Sequence, residues 1–236
     1  MTDAGLLLVA AAATTGLVHT LIGPDHYLPF IMMSRARGWS LARTVAVTVL
    51  CGAAHVLSSV VLGLVGVAAG LALARLEGIE GTRGQIAAWG LIAFGIGYAL
   101  WGLHRLRTGR THSHPHIHQP GHPHIHEHAH VGAHTHPHTD ARRPITPWVL
   151  FVIFILGPCE PLIPLFMYPA AQHNTPLLLA VTAAFSIATV ATMAAVVVLA
   201  ALGLHRLRLA WAERYVHVIA GAVIAASGLA IQFLGL

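Results

Sequence analysis

Charge is what this chain of 236 residues has least of. Asp, Glu, Lys and Arg together make up 9%, where soluble domains carry about 25%. Lysine is missing altogether, so all 13 basic residues are arginine. With 56% hydrophobic residues against so few charges, a soluble domain is excluded. Cysteine is almost absent as well. Cys51 and Cys159 each fall inside an apolar run, which rules out the disulfide framework of a small secreted domain. No nucleophile–base pair or nucleotide-binding loop lies in a soluble segment, so an enzyme is not expected. The net charge of +5 does not point to nucleic acid, because the arginines are strung between apolar runs rather than clustered on one face.

What the chain has is long apolar runs. Crossing the roughly 30 Å hydrocarbon layer takes about 20 helical residues, and six stretches qualify, near 5–33, 43–72, 86–106, 147–170, 176–203 and 214–235. The start, Met1-Thr2-Asp3, lacks a basic n-region, so the first run reads as a permanent span. Arg35, Arg37, Arg43, Arg105, Arg107, Arg110, Arg142, Arg143, Arg206, Arg208 and Arg214 fall on one side of this arrangement. Only Arg75 and Arg83 fall on the other, offset by Glu77 and Glu80. Basic loops stay in the cytoplasm, so both termini are expected outside.

One connection differs from the rest. Across 109–146, His112, His114, His116, His118, His122, His124, His126, His128, His130, His134, His136 and His138 alternate with Pro, Gly and small residues. Such a tract has nothing to bury and is expected to be disordered alone. Its imidazoles suit capture of a borderline metal.

Ionisable groups inside apolar runs mark sites, because each costs several kcal/mol unless something needs it. The first run holds His19, Asp25 and His26 around Gly23-Pro24. The fourth holds Cys159 and Glu160 directly after Gly157-Pro158. Proline breaks or kinks a helix, and broken helices at membrane depth commonly line substrate sites. The matched breaks predict an all-α membrane protein of six helices. These form two inverted three-helix repeats, 1–108 and 147–236, with the first and fourth helices broken. In the second run Cys51 and His55 are four apart and share a face, with Ser58 and Ser59 a turn further on. His19, Asp25, His26, His55, Glu160, Cys51 and Cys159 are therefore the candidate metal ligands. Imidazole, carboxylate and thiolate together favour first-row transition ions over calcium or magnesium. His104 and His205 read as interfacial anchors. His217 reads equally as ligand or packing, and His173 as a loop residue. The five tryptophans lie near span ends, as an aromatic belt does. Ser186, Thr189 and Thr192 line one face of the fifth run.

His19…Asp25-His26, the stretch Gly52-Ala53-Ala54-His55-Val56-Leu57-Ser58, Gly157-Pro158-Cys159 and the His-rich loop together resemble the nickel/cobalt transporter superfamily. The likeness is to its exporter branch and the urease-accessory-like membrane proteins. Five residues separate His19 from Asp25-His26, where the uptake permeases have four, which points away from the uptake permeases. The lean to export comes from the cytoplasmic His tract, which would capture metal on the loading side. The resemblance implies Ni²⁺ or Co²⁺ as cargo, no permanent cofactor, a bacterial inner membrane and protons as a candidate coupling ion. Three other readings stay open: a membrane thiol–disulfide electron carrier, an organic-solute exporter of the same superfamily, and a metallochaperone or sensor anchor. The first needs Cys51 and Cys159 to meet; the second leaves the His tract without a purpose.

Overall fold

The computed structural model describes residues 2–108, 112–116, 124–128, 145–206 and 210–235. The side chains of 112–128, 145–146, 204–206 and 210–212 lie outside that description, and with them the metal-capture side chains of the His tract, His205 and Trp211. Apolar composition with capping residues at the ends accounts for most elements. Helix α1 (Asp3–Ile22) opens on Thr2, whose hydroxyl accepts from Gly5 N, the usual device for an orphan N-terminal donor. It ends at Gly23-Pro24, and a 3₁₀ turn (Pro24–His26) leads into α2 (Leu28–Arg37). Gly38, at φ 59°, closes α2 in the left-handed region that glycine enters freely. Ser40 then caps α3 (Leu41–Ala68).

Helix α4 (Leu73–Thr108) follows after a short turn. Two five-residue strands, β1 (His112–His116) and β2 (His124–His128), pair antiparallel with His114 opposite His126. Then come α5 (Ile145–Leu156), α6 (Leu162–Ala171), α7 (Thr175–Arg206) and α8 (Ala210–Leu234).

Five of these helices, α1, α3, α4, α7 and α8, are long and apolar enough to cross a bilayer, which makes this a multi-pass membrane protein in contact with lipid. The break expected in the run 147–170 is present: two short helices lie on either side of Gly157–Pro161, and neither is long enough to span alone. One expectation is corrected. Helix α4 starts 13 residues before the expected 86, so Arg75, Glu77, Glu80 and Arg83 are helical and not in a loop. Their charges lower the local hydropathy, yet Glu80 and Arg83 are three apart and pair along the helix, which a helix accommodates readily.

Helices α1 and α7 pack together, as do α4 and α8, while α3 bridges α5 and α7. Small residues set the closest approaches, as they do between helices in lipid. A Cβ at Gly16 would meet Phe185 O at 2.9 Å, and Gly95 and Gly221 face each other's backbone across α4 and α8. Two buried apolar clusters result. One contains Phe30, Cys51 and Met193, the other Cys159, Leu162 and Phe185. Both helix breaks lie beside them.

Candidate metal centre

Helix α1 stops because Pro24 has no N–H to donate. Gly23 N still reaches His19 O (3.0 Å), and His26 N reaches Gly23 O (3.2 Å), so the chain tightens into a 3₁₀ turn. Tyr27 Oη donates to Leu21 O (3.2 Å). A backbone interruption in lipid survives only where such partners exist. The turn brings His26 back beside His19, their ring centroids 4.7 Å apart. His55, midway along α3, lies 5.2 Å from His26 in the same sense. One ring nitrogen from each of the three lies within 4.8 Å of the others.

The hydrogen bonds determine which nitrogens remain. His26 Nδ1 lies 3.1 Å from Asp25 Oδ1 and 3.2 Å from Gly23 O. His55 Nδ1 lies 3.2 Å from Phe154 O. With acceptors on Nδ1, each ring carries its proton there and leaves Nε2 bare. Nε2 of His19, His26 and His55 are all buried without a hydrogen-bond partner. A buried polar atom left unpaired costs about 1–3 kcal/mol, and three in one place describe a site for something that accepts lone pairs. Nitrogens about 2.0–2.1 Å from one ion stand roughly 3.4 Å apart in tetrahedral geometry. Closing from 4.8 Å is within reach of small side-chain rotations.

The three imidazoles face a cavity of about 40 Å³ also lined by Asp25, Gly157 and Pro158. That exceeds the roughly 10–15 Å³ one water needs, so an ion retaining a water fits. Both break glycines press on the ligands. A Cβ at Gly23 would fall 2.9 Å from Asp25 Oδ1 and against His26 Nδ1; one at Gly157 would fall 2.9 Å from His55 Nδ1. Only glycine leaves room for the rings.

The expected ligands divide accordingly. His19, His26 and His55 come together. Asp25 lines the cavity with its Oδ1 on His26 Nδ1, the place of the carboxylate that orients a ligating imidazole. Glu160 is exposed, its carboxylate beside Gly81, because the Pro158–Pro161 turn carries it outside the His group. Cys51 and Cys159 are free and buried in the two separate apolar clusters, outside that group as well. His217 is a packing residue. Its Nδ1 lies 2.9 Å from Tyr98 Oη, and its ring is held between Tyr98 and Trp101. His104 and His173 are exposed, and Thr189 is buried against Gly16.

Glu80 and Arg83 are the residues that sequence reasoning missed. Arg83 Nη1 pairs with Glu80 Oε1, and its Nη2 donates to Ser58 Oγ (2.6 Å), Ile155 O (2.7 Å) and Gly157 O (3.3 Å). Glu80 Oε2 accepts from Ser59 Oγ (3.2 Å) and from Cys159 N (3.1 Å). A cation thus sits on the carbonyl end of α5, matched to the half-helix charge it meets, and an anion accepts the first amide after Pro158. The readable signal is an opposite-charge pair three apart, with Ser58-Ser59 one turn from His55.

Three neutral imidazoles backed by a carboxylate bind borderline divalent ions and offer little to calcium or magnesium. Comparison of the chain with protein-family models, with curated proteins and with solved structures finds no match.

Proposed function

We propose that this protein carries a divalent first-row transition-metal ion across the bilayer, holding it in transit on His19, His26 and His55. The observation that carries the reading is that His19, His26 and His55 each bring a ring nitrogen to within 4.8 Å of the others at a helix break, with Nε2 of all three buried and unpartnered. Three protein ligands leave coordination positions open, which suits an ion that must arrive and leave. The donor set fits Ni²⁺ and Co²⁺, and the likeness to nickel/cobalt transporters in the short motifs narrows the choice to them.

The same proposal takes α1–α2 and α5–α6 each as one broken span, giving six spans in two inverted repeats, with Gly23-Pro24 and Gly157-Pro158 as matching breaks. Alternating access would then pivot about the centre where the breaks meet α3. The membrane in this reading is a bacterial-type plasma membrane, and the arginine distribution supports a cytoplasmic 109–146 tract. There it concentrates metal beside the loading side, in keeping with efflux. Imidazoles that take up protons as the ion departs supply a route for proton coupling. The thiol–disulfide alternative loses ground because Cys51 and Cys159 occupy different clusters.

The test is flux of Ni²⁺, Co²⁺, Zn²⁺ and Mn²⁺ into proteoliposomes, comparing the intact chain with His26→Ala. Flux of one or two metals, lost in the variant, is expected. Absence of flux for all four from folded, intact protein overturns the reading.

A further inference from the structure

We infer that Arg83 is a positioning residue for the metal centre, acting through His55. The inference rests on the metal-site reading above and deepens it.

His55 is fixed at two points. Its backbone carbonyl accepts from Ser58 Oγ (2.7 Å), and its Nδ1 rests on Phe154 O (3.2 Å), with Gly157 directly beneath the ring. Arg83 grips both supports. One guanidinium nitrogen donates to Ser58 Oγ on the α3 side and to Ile155 O and Gly157 O on the α5 side. These carbonyls belong to the Phe154–Gly157 segment that holds the ring. The other nitrogen is tied to Glu80, which is fully buried and also takes Ser59 Oγ and Cys159 N. Among the described residues, the hydrogen-bond partners of Glu80 and Arg83 outside the pair are either one turn from His55 or at the α5–α6 break. None is a metal ligand.

Charge alone does not explain this arrangement. Keeping an ion pair away from water is expensive, and an apolar replacement of similar volume is often neutral or stabilising. A planar guanidinium can hold several acceptors in fixed directions, whereas an ammonium cannot hold the same set. What the pair supplies is geometry: it fixes the interval between α3 and the end of α5, and with it the direction of His55 Nε2. Groups of this kind behind a metal ligand change affinity by about 10–100-fold when removed.

The experiment titrates the purified full chain with Co²⁺, whose visible absorption reports both occupancy and coordination geometry. The variant His19→Ala/His26→Ala/His55→Ala gives the contribution of the remaining histidines, and the difference is the centre itself. Arg83→Gln is expected to weaken the centre about 10–100-fold and alter its absorption. Its thermal midpoint without metal falls as well, because Glu80 is left buried without its cation, so affinity and spectrum of the folded protein are what is read. Arg83→Lys is expected to fall between it and the parent. A folded Arg83→Gln protein with parental affinity and spectrum overturns the inference. Should Arg83→Gln not fold, Ser58→Ala decides: lost affinity at an unchanged midpoint supports the inference, and parental affinity overturns it. If the triple variant titrates like the parent, the metal centre itself fails and the role of Arg83 falls with it.

Discussion

Gly157→Ala is the smallest change that reaches the site, and its effect can be worked from distances. A Cβ at 157 would lie 2.9 Å from His55 Nδ1 and 3.2 Å from Cε1, and 3.2 Å from Phe154 O. Ordinary contact begins at 3.4 Å, so the ring must retreat by about 0.5 Å, the difference between 3.4 and 2.9. It retreats from the very segment that holds it, so the 3.2 Å contact between Nδ1 and Phe154 O is lost. Overpacking of this sort costs about 1–3 kcal/mol, and one neutral hydrogen bond contributes about 1 kcal/mol. A separate effect falls on metal. With an orienting acceptor lost, affinity drops about tenfold or more. At free metal one hundred times the parental dissociation constant, binding stabilises the parent by about 2.7 kcal/mol. A tenfold weaker centre gains only about 1.4 kcal/mol under the same conditions. Thermal unfolding with and without Ni²⁺, repeated in the triple-histidine background, reads that difference directly. Gly78→Ala is the control: nothing lies within 4 Å of its Cβ, and alanine in a helix is better than glycine by up to about 1 kcal/mol. A Gly157→Ala protein with the full parental metal stabilisation refutes the argument that His55 is seated on this glycine.

Asp25→Asn keeps the shape but replaces a carboxylate on His26 Nδ1 with a neutral amide, and about a 10–100-fold loss of affinity is expected by titration; unchanged affinity would remove Asp25 from the site. Metal binding requires neutral imidazoles, so it is fully developed above the ordinary histidine range near 6.5 and lost as pH falls through and below it. Up to three protons compete for one ion, so the loss should be steeper than one decade per pH unit in equilibrium titrations. A profile that stays flat down to the pH at which the protein itself unfolds would mean that the rings are not the ligands.

How much of this was legible in the sequence depends on the residue. His19, His26 and His55 stood out because a polar ring in an apolar run costs free energy unless something needs it, and Gly23-Pro24 announced the break. The spacing of seven between His19 and His26 suggested a shared helical face, whereas the rings meet because the chain turns back after Pro24. Asp25 was visible as a participant, but spacing cannot tell whether a carboxylate meets the ion or the far side of an imidazole. Glu160 looked buried by its neighbours. Four residues of Pro158–Pro161 geometry decide otherwise, and prolines signal a turn without giving its direction. Glu80 and Arg83 were hidden for the opposite reason. Charges lower hydropathy wherever they stand, so a pair that neutralises itself inside the protein reads like a pair at its surface.

The seam between α4 and α8 bears on how this sequence is free to drift. At Gly95 an added methyl collides with Ala225 N and Gly221 O, and at Gly221 with Ala99 N and Gly95 O. These obstacles are main chain, which cannot rotate aside as a leucine can. A single carbon therefore wedges two whole helices apart, and with them Leu91 and Ile231, which wall the cavity. Mutational tolerance along this seam follows what faces each position, not how far it stands from the metal: Gly97, two residues from Gly95 with nothing within 4 Å, is open to change where its neighbour is closed.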